Sequence, residues 1–258
     1  MGKRRIYFHG TTLPAGAASK ELRRPTTERP FFVADKLDIA KWYIDHYETF
    51  NNVKATSIFV LEAKEDLDNM SFYFRNPSHL SKLSRQFPAL VDLLKKELPF
   101  ETTFFNVSHN LALLLVKMFT EKFPSCEFKP VSKENEEWWN KKTPLRVKAL
   151  TSMGFIERDP VTKELFPARI VERTLKNIDD EEKQYTTLRR AIKSPVFEKI
   201  HKLGYPCVKE WDTTPYNNGW EYAVFDMDVF DGGWSNSLTR QQANKVLMDI
   251  EEKENGSK

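Results

Sequence analysis

Residues 30–44, PFFVADKLDIAKWYI, leave the chain little choice of local structure, because an apolar run passes into a helix-period pattern with no glycine between them. Phe31, Phe32 and Val33 read as a strand. Leu37, Ile39, Ala40, Tyr43 and Ile44 then recur at helical spacing, with Asp35 placed to cap the helix. A strand ending in an aromatic and running straight into a helix with a second aromatic about two turns in sets both rings around one small site. That arrangement suits the stacking of a flat heterocycle. Taken singly, the same rings are ordinary core residues, since Phe and Tyr bury large apolar areas.

A second piece, YFHGTT at residues 7–12, closes a short strand that starts at Arg5 and delivers His9 at its end. Gly10 follows, where a sharp turn is easy and bare backbone can come close to a ligand. His9 by itself is equally a packing histidine. Near the C-terminus, LGYPCVKEW at residues 203–211 and WEYAVF at residues 220–225 read as two strands joined by a turn-rich loop. Glu221 alone would be an exposed acid on an edge strand.

Together these pieces resemble the His-Tyr-Glu branch of the ADP-ribosyltransferase superfamily, the diphtheria-toxin and PARP-like group. Its layout is a YHGT-like strand, then a GFYST-like strand and a helix with Tyr eleven residues on; Phe32 and Tyr43 keep that interval. SIFVLEAK at residues 57–64 supplies the strand that follows. The C-terminal pair is similar to the GYDGVI-like and EYVVF-like strands of the family. The resemblance covers residues 4–64 and 194–231 and implies an α+β fold: a split antiparallel sheet around an NAD cleft. Residues 65–193 become a largely helical insertion in a single domain spanning residues 1–258, with a terminal amphipathic helix at 237–253.

By this resemblance the catalytic residues are His9, Tyr43 and Glu221, and NAD is held by His9, Gly10, Thr11, Phe32, Tyr43 and Arg24. The family has Tyr where this chain has Phe32, so the stacking face is kept and the hydroxyl lost. Cleavage of the bond between ribose and nicotinamide needs no general acid, because the leaving nitrogen is already cationic and departs neutral. Glu221 would hold the ribose 2'-hydroxyl, His9 would orient the adenosine ribose, and the Gly10 backbone would pair with the carboxamide. Gly219 stands two residues before Glu221. Arginine-modifying relatives of the other branch carry Glu or Gln there, so arginine is a disfavoured acceptor.

The implied function is transfer of ADP-ribose to a protein or nucleic-acid acceptor by a toxin or effector, with no metal cofactor. Hydrolysis of NAD, and a binding module without turnover, are the competing readings. An antitoxin or inhibitor is an expected partner of a toxin, and a membrane is not. The expected location is the cytoplasm, or a target cell's cytoplasm after delivery.

Composition narrows the classes. Hydrophobic residues at 40% and charged residues at 30% describe ordinary globular material. A net charge of +3 is too balanced to argue for nucleic acid by itself. MGKRRIYF lacks the apolar run of a signal peptide, the most apolar window, residues 111–119, is about half a membrane span, and the chain is expected to be soluble. Two cysteines, Cys126 and Cys207, make neither a disulfide framework nor a zinc site.

The rest of the chain reads as connecting and helical material. Residues 13–29, with Lys20, Arg23, Arg24 and Arg29, read as a helix and loop. Arginine suits a pyrophosphate, and a solvated basic loop is the other reading. Residues 80–98 and 107–123 are helical by period, with Ser78 and Ser108 as caps. KENEEWWNKK at 133–142 reads as a partner-facing loop whose Trp138 and Trp139 are either packing or recognition residues. A helix at 144–153 stops at Gly154, a hairpin spans 155–172, and a charged helix covers 179–193. Ser194 and Pro195 open the next helix. Lys141, Lys142, Arg146 and Lys148 line a nucleic-acid path or form a solvated face.

Overall fold

The computed structural model describes residues 5–51, 57–98, 102–122, 144–176, 178, 181–212, 218–231 and 236–255. The chain is α+β and forms two compact units, Met1–Tyr73 with Gly204–Lys258, and Phe74–Leu203.

The first unit holds β1 (Ile6–Thr11), β2 (Phe31–Ala34), α1 (Leu37–Asn51), β3 (Ser57–Glu62), α2 (Leu67–Met70) and β4 (Ser71–Tyr73). After the second unit come β7 (Cys207–Asp212), β8 (Gly219–Val224) and the terminal helix α9 (Arg240–Asn255). Six strands make one sheet in the order β3-β1-β2-β8-β7-β4. Neighbours run antiparallel except β4 and β7, which are parallel.

Pairing is uneven across this sheet. β1 matches β3 over six residues and β2 matches β8 over four. Between β1 and β2, among the described residues, Phe8 opposite Ala34 is the single register pair. The sheet therefore has two well-laddered arms joined at one point, and β1 and β2 leave one another beyond it.

Strand alternation sends side chains to two faces. One face carries Tyr7, Phe31, Val33, Phe59, Leu61, Tyr222 and Val224, packed with Leu67 and Phe230. The other carries Phe8 and Ile58 beneath Leu37, Ala40 and Ile44 of α1 and Ala243 of α9. Two glycines let α1 lie close on this second face. A Cβ on Gly10 would stand 2.9 Å from the Ala40 carbonyl oxygen, and one on Gly219 would stand 2.6 Å from Asp35 Oδ1 and 2.7 Å from Ile39 Cδ1.

The second unit comprises α3 (Pro77–Ser84), α4 (Pro88–Glu97), α5 (Phe104–Lys122), α6 (Pro144–Ser152), the antiparallel hairpin β5 (Ile156–Arg158) and β6 (Leu165–Pro167), α7 (Arg169–Lys176) and α8 (Glu181–Lys202). Its core includes Phe104, stacked on Phe74 at 4.3 Å and edge-on to Phe197 at 5.9 Å.

Several local expectations are corrected here. The helix read over 80–98 breaks into α3 and α4, because Pro88 begins a new helix and cannot continue an old one. Asn76, not Ser78, caps α3: its Oδ1 accepts from the Ser78 amide at 2.9 Å. Ser108 lies inside α5. Pro195 opens no helix, since α8 runs through it. The ring removes one backbone donor, while Leu188, Ile192, Val196, Phe197 and Ile200 are all buried along the same helix and hold it together. Residues 13–29 contain only a 3-10 turn, Ser19–Glu21, among their elements. Arg146 does not line a nucleic-acid path, because its Nε donates to Glu97 Oε1 at 2.7 Å and the side chain is buried. Cys126, Trp138, Trp139, Lys141 and Lys142 lie outside the described residues.

Candidate active site

His9 stands where β1 leaves β2. Its Nδ1 is 2.7 Å from the Phe32 carbonyl oxygen, and its ring centroid is 4.0 Å from that of Phe31. Burial pushes its pKa down to about 4, against the opposing pull of the carbonyl. The ring is thus neutral near pH 7. A carbonyl only accepts, so Nδ1 carries the proton and Nε2 is left with a lone pair for a ligand hydroxyl.

Phe32 and Glu221 project from neighbouring strands to the face covered by α1. Phe32 lies opposite Ala223, and Glu221 lies opposite Ala34, which puts Phe32 and Glu221 at diagonal positions. Both are half-buried. Alternation places His9 on the other face, opposite Phe59. It reaches Phe32 only because β1 and β2 are unladdered there.

Asp35 fixes the register of helix against strand. Its backbone N–H donates to the Trp220 carbonyl at 3.1 Å, and its Oδ1 accepts from the Trp220 N–H at 2.8 Å. The expected helix cap is therefore a clamp on the residue before Glu221, and α1 begins two residues later at Leu37. Burial raises the Asp35 pKa, with the Trp220 amide opposing. Tyr43 follows Ile39 by one helical turn on the same side of α1 and is exposed at 39%, with its ring edge-on to Trp42 at 5.5 Å.

Thr11 ends the strand that carries His9, and Arg24 follows it in the chain. Thr11 is buried, and its Oγ1 accepts from the Leu13 N–H at 3.3 Å, which ties it to the loop after β1. That loop is held again by Ser57 Oγ, donating to the Leu13 carbonyl at 2.6 Å, and by Ser237 Oγ, donating to the Pro14 carbonyl at 2.7 Å. Arg24 is exposed on the segment between β1 and β2.

The opposite face of β8 is backed by a polar and aromatic cluster. Asp68 Oδ1 accepts from the Tyr222 hydroxyl at 2.9 Å and from Lys209 Nζ at 2.7 Å. Lys209 Nζ also lies 4.7 Å from the Trp220 ring centroid, and Trp220 is edge-on to Trp211 at 5.0 Å. These contacts grip the two residues that flank Glu221. Burial pushes the Cys207 thiol up to about 12, so this cysteine is inert as a nucleophile.

One residue escapes a reading of the sequence. Glu210 on β7 lies directly opposite Glu221 and is 4% exposed. Its place across the hairpin depends on the register through the 212–219 loop, which the turn residues of that loop do not specify.

Phe32 and Glu221 thus share the face of the sheet beneath α1, His9 lies on the other face, and the space beside Gly10 is filled by Ala40 and Ile44. Among the described residues no group of three or more His, Cys, Asp or Glu is arranged to hold a metal ion. Nor is any helix among them long and apolar enough to cross a membrane. No family model, curated protein or solved structure matches the chain.

Proposed function

We propose that the chain is an NAD-dependent mono-ADP-ribosyltransferase of the His-Tyr-Glu type, built on a sheet that splits between β1 and β2, and acting as a toxin or effector on a macromolecule in the cytoplasm. The observation that carries this reading is the opening beyond the pair Phe8 and Ala34, where His9 is bonded to the Phe32 backbone and β2 is laddered to the strand of Glu221.

In this reading Phe32 and Tyr43 hold the nicotinamide ring, and the Gly10 backbone pairs with its carboxamide. His9 Nε2 accepts from a hydroxyl of the adenosine ribose. Glu221 accepts from the 2'-hydroxyl of the nicotinamide ribose and sets negative charge beside the developing oxocarbenium. The C1'–N bond breaks, its electron pair leaves with neutral nicotinamide, and the acceptor's nucleophile attacks C1' as its proton is released. Gly219 supports an acceptor other than arginine. Asp35 and Ile39 fill the space above it, so the second acid used by arginine-modifying relatives has no room there.

The test follows free nicotinamide and adenylate-labelled NAD together, with and without cell lysate. Label captured on protein or nucleic acid is the expected result, with turnover falling on the order of a hundred-fold or more in Glu221→Gln. Nicotinamide release with only free ADP-ribose would make the chain an NAD glycohydrolase, and binding without release would make it a binding module.

A further inference from the structure

We infer that Ser237 is a latch: it fastens the loop between β1 and β2 at the open end of the split, and is thereby a positioning residue for a ligand that enters beside His9. Its meaning for catalysis rests on the function proposed above. β1 and β2 run antiparallel and, among the described residues, are paired only at Phe8 and Ala34, so the unpaired stretch runs towards Thr11 and Phe31. Residues 12–30 join those two ends. The loop is therefore the rim of the opening in which His9 Nδ1 meets the Phe32 carbonyl.

Four hydrogen bonds to this loop converge on Ser237, which is 2% exposed. Its Oγ donates to the Pro14 carbonyl at 2.7 Å and accepts from the Ala17 N–H at 3.0 Å. Its backbone N–H donates to the Ala17 carbonyl at 2.8 Å, and its carbonyl accepts from the Gly16 N–H at 2.7 Å. Gly16 makes the turn that presents this N–H at φ 91°, where glycine alone is at ease. Both the donor and the acceptor of one hydroxyl are thus spent on the loop, and alanine at this place would supply neither.

Ser237 is itself firmly seated. Leu238 exchanges backbone bonds with Ile58 on the outer edge of β3, at 2.8 and 2.9 Å. Ala243 packs in the cluster of Phe8 and Ile44, and Arg240 pairs with Asp45 of α1. One short segment, 237–243, therefore ties the loop to β3 and α1. The loop also has an apolar footing, Leu13 and Leu22 against the sheet. Such contacts are non-directional, so the hydrogen bonds set where the loop sits. Further along, Thr26 and Arg29 exchange backbone bonds at 3.1 Å and Arg23 donates to the Arg29 carbonyl at 3.0 Å, which makes the arginine-bearing part a turn carried by these anchors.

The experiment is hydrogen exchange of residues 14–29 in the full chain and in Ser237→Ala, beside NAD binding by calorimetry and the kinetics of nicotinamide release. Exchange at Gly16 and Ala17 is expected to speed up about tenfold or more in the variant, the equivalent of one buried hydrogen bond, while the β1 amides keep their protection. Unchanged exchange at those two residues would overturn the latch. The parent gives the same test without substitution: in low urea the Gly16, Ala17, Ser237 and Leu238 amides are expected to open as one unit, and separate openings would equally overturn it. NAD affinity is expected to fall about tenfold in Ser237→Ala, with KM rising alike and kcat within a few-fold, because the loop bears on the ligand and not on the breaking bond. Equal affinity in parent and variant would remove the positioning role. Ser108→Ala deletes an equally buried hydroxyl bond within α5 and is the control for lost stability. It is expected to bind NAD as the parent does, and a matching loss of affinity there would reduce Ser237 to a structural residue. A parent that neither binds NAD nor releases nicotinamide would sink the transferase reading and the positioning role together, whereas exchange decides the latch without a ligand.

Discussion

A histidine held neutral by its surroundings makes stability depend on pH in a definite direction. The folded His9 binds its proton only near pH 4, whereas in the unfolded chain it does so at its ordinary value of 6.5. Between those values the unfolded state binds more protons, so this contribution is complete above the upper value and is lost as pH falls through the window. Asn at this position keeps an N–H that can donate to the Phe32 carbonyl but does not titrate. Thermal melts at pH 7 and pH 5 should therefore show a larger loss for the parent than for His9→Asn. Identical losses would mean that His9 titrates in the fold as it does in the unfolded chain.

At the scale of elements, the site depends on how closely α1 approaches β8. Gly219→Ala would drive a methyl group against Asp35 Oδ1 and Ile39 Cδ1. Neither atom yields easily, since Asp35 is held by the Trp220 amide and Ile39 is fully buried. Urea unfolding should report a loss of about 1–3 kcal/mol, the usual cost of overpacking. A neutral result would show that the helix slides freely on the sheet.

The elements around this contact were legible from the residues because β1, β2 and β8 are short apolar and aromatic runs, and α1 repeats its apolar residues near 3.6. Where local signals failed, tertiary packing overrode them. Pro195 reads as a start and sits within α8, because apolar residues on both sides of it are buried along one helix. Asp35 reads as a helix cap and is claimed instead by an amide from 185 residues away, which no local pattern encodes. The strands bearing Phe32 and Glu221 could be read directly, whereas His9 and Gly10, read as a strand end and a turn, lie inside β1 opposite Phe59 and Ile58. The register that sets Glu210 opposite Glu221 could not be read, because slipping the hairpin by one residue would send one of them to the other face.

At the scale of the whole molecule, the first unit is discontinuous in sequence and Phe74–Leu203 is the connection between its parallel strands β4 and β7. Every residue placed at the candidate site belongs to the first unit. Replacing 74–203 by a flexible linker is expected to leave the sheet folded and nicotinamide release within about tenfold of the parent, while label transfer to a macromolecule is lost. The comparison of release with capture reads this out. A linker variant that still labels the same macromolecule would remove acceptor choice from the second unit.

The same discontinuity sets a timetable during synthesis. β1, α1 and β3 emerge early, but β2 has no partner on its β8 side until residues 219–224 have been made. At ordinary elongation rates the intervening segment takes on the order of ten seconds, in which Phe74–Leu203 has its own core to form. A ribosome stalled anywhere before β8 carries a chain without Glu221 and with its clamp unmade. The cell that makes this protein therefore meets the completed sheet only after β8 has been made.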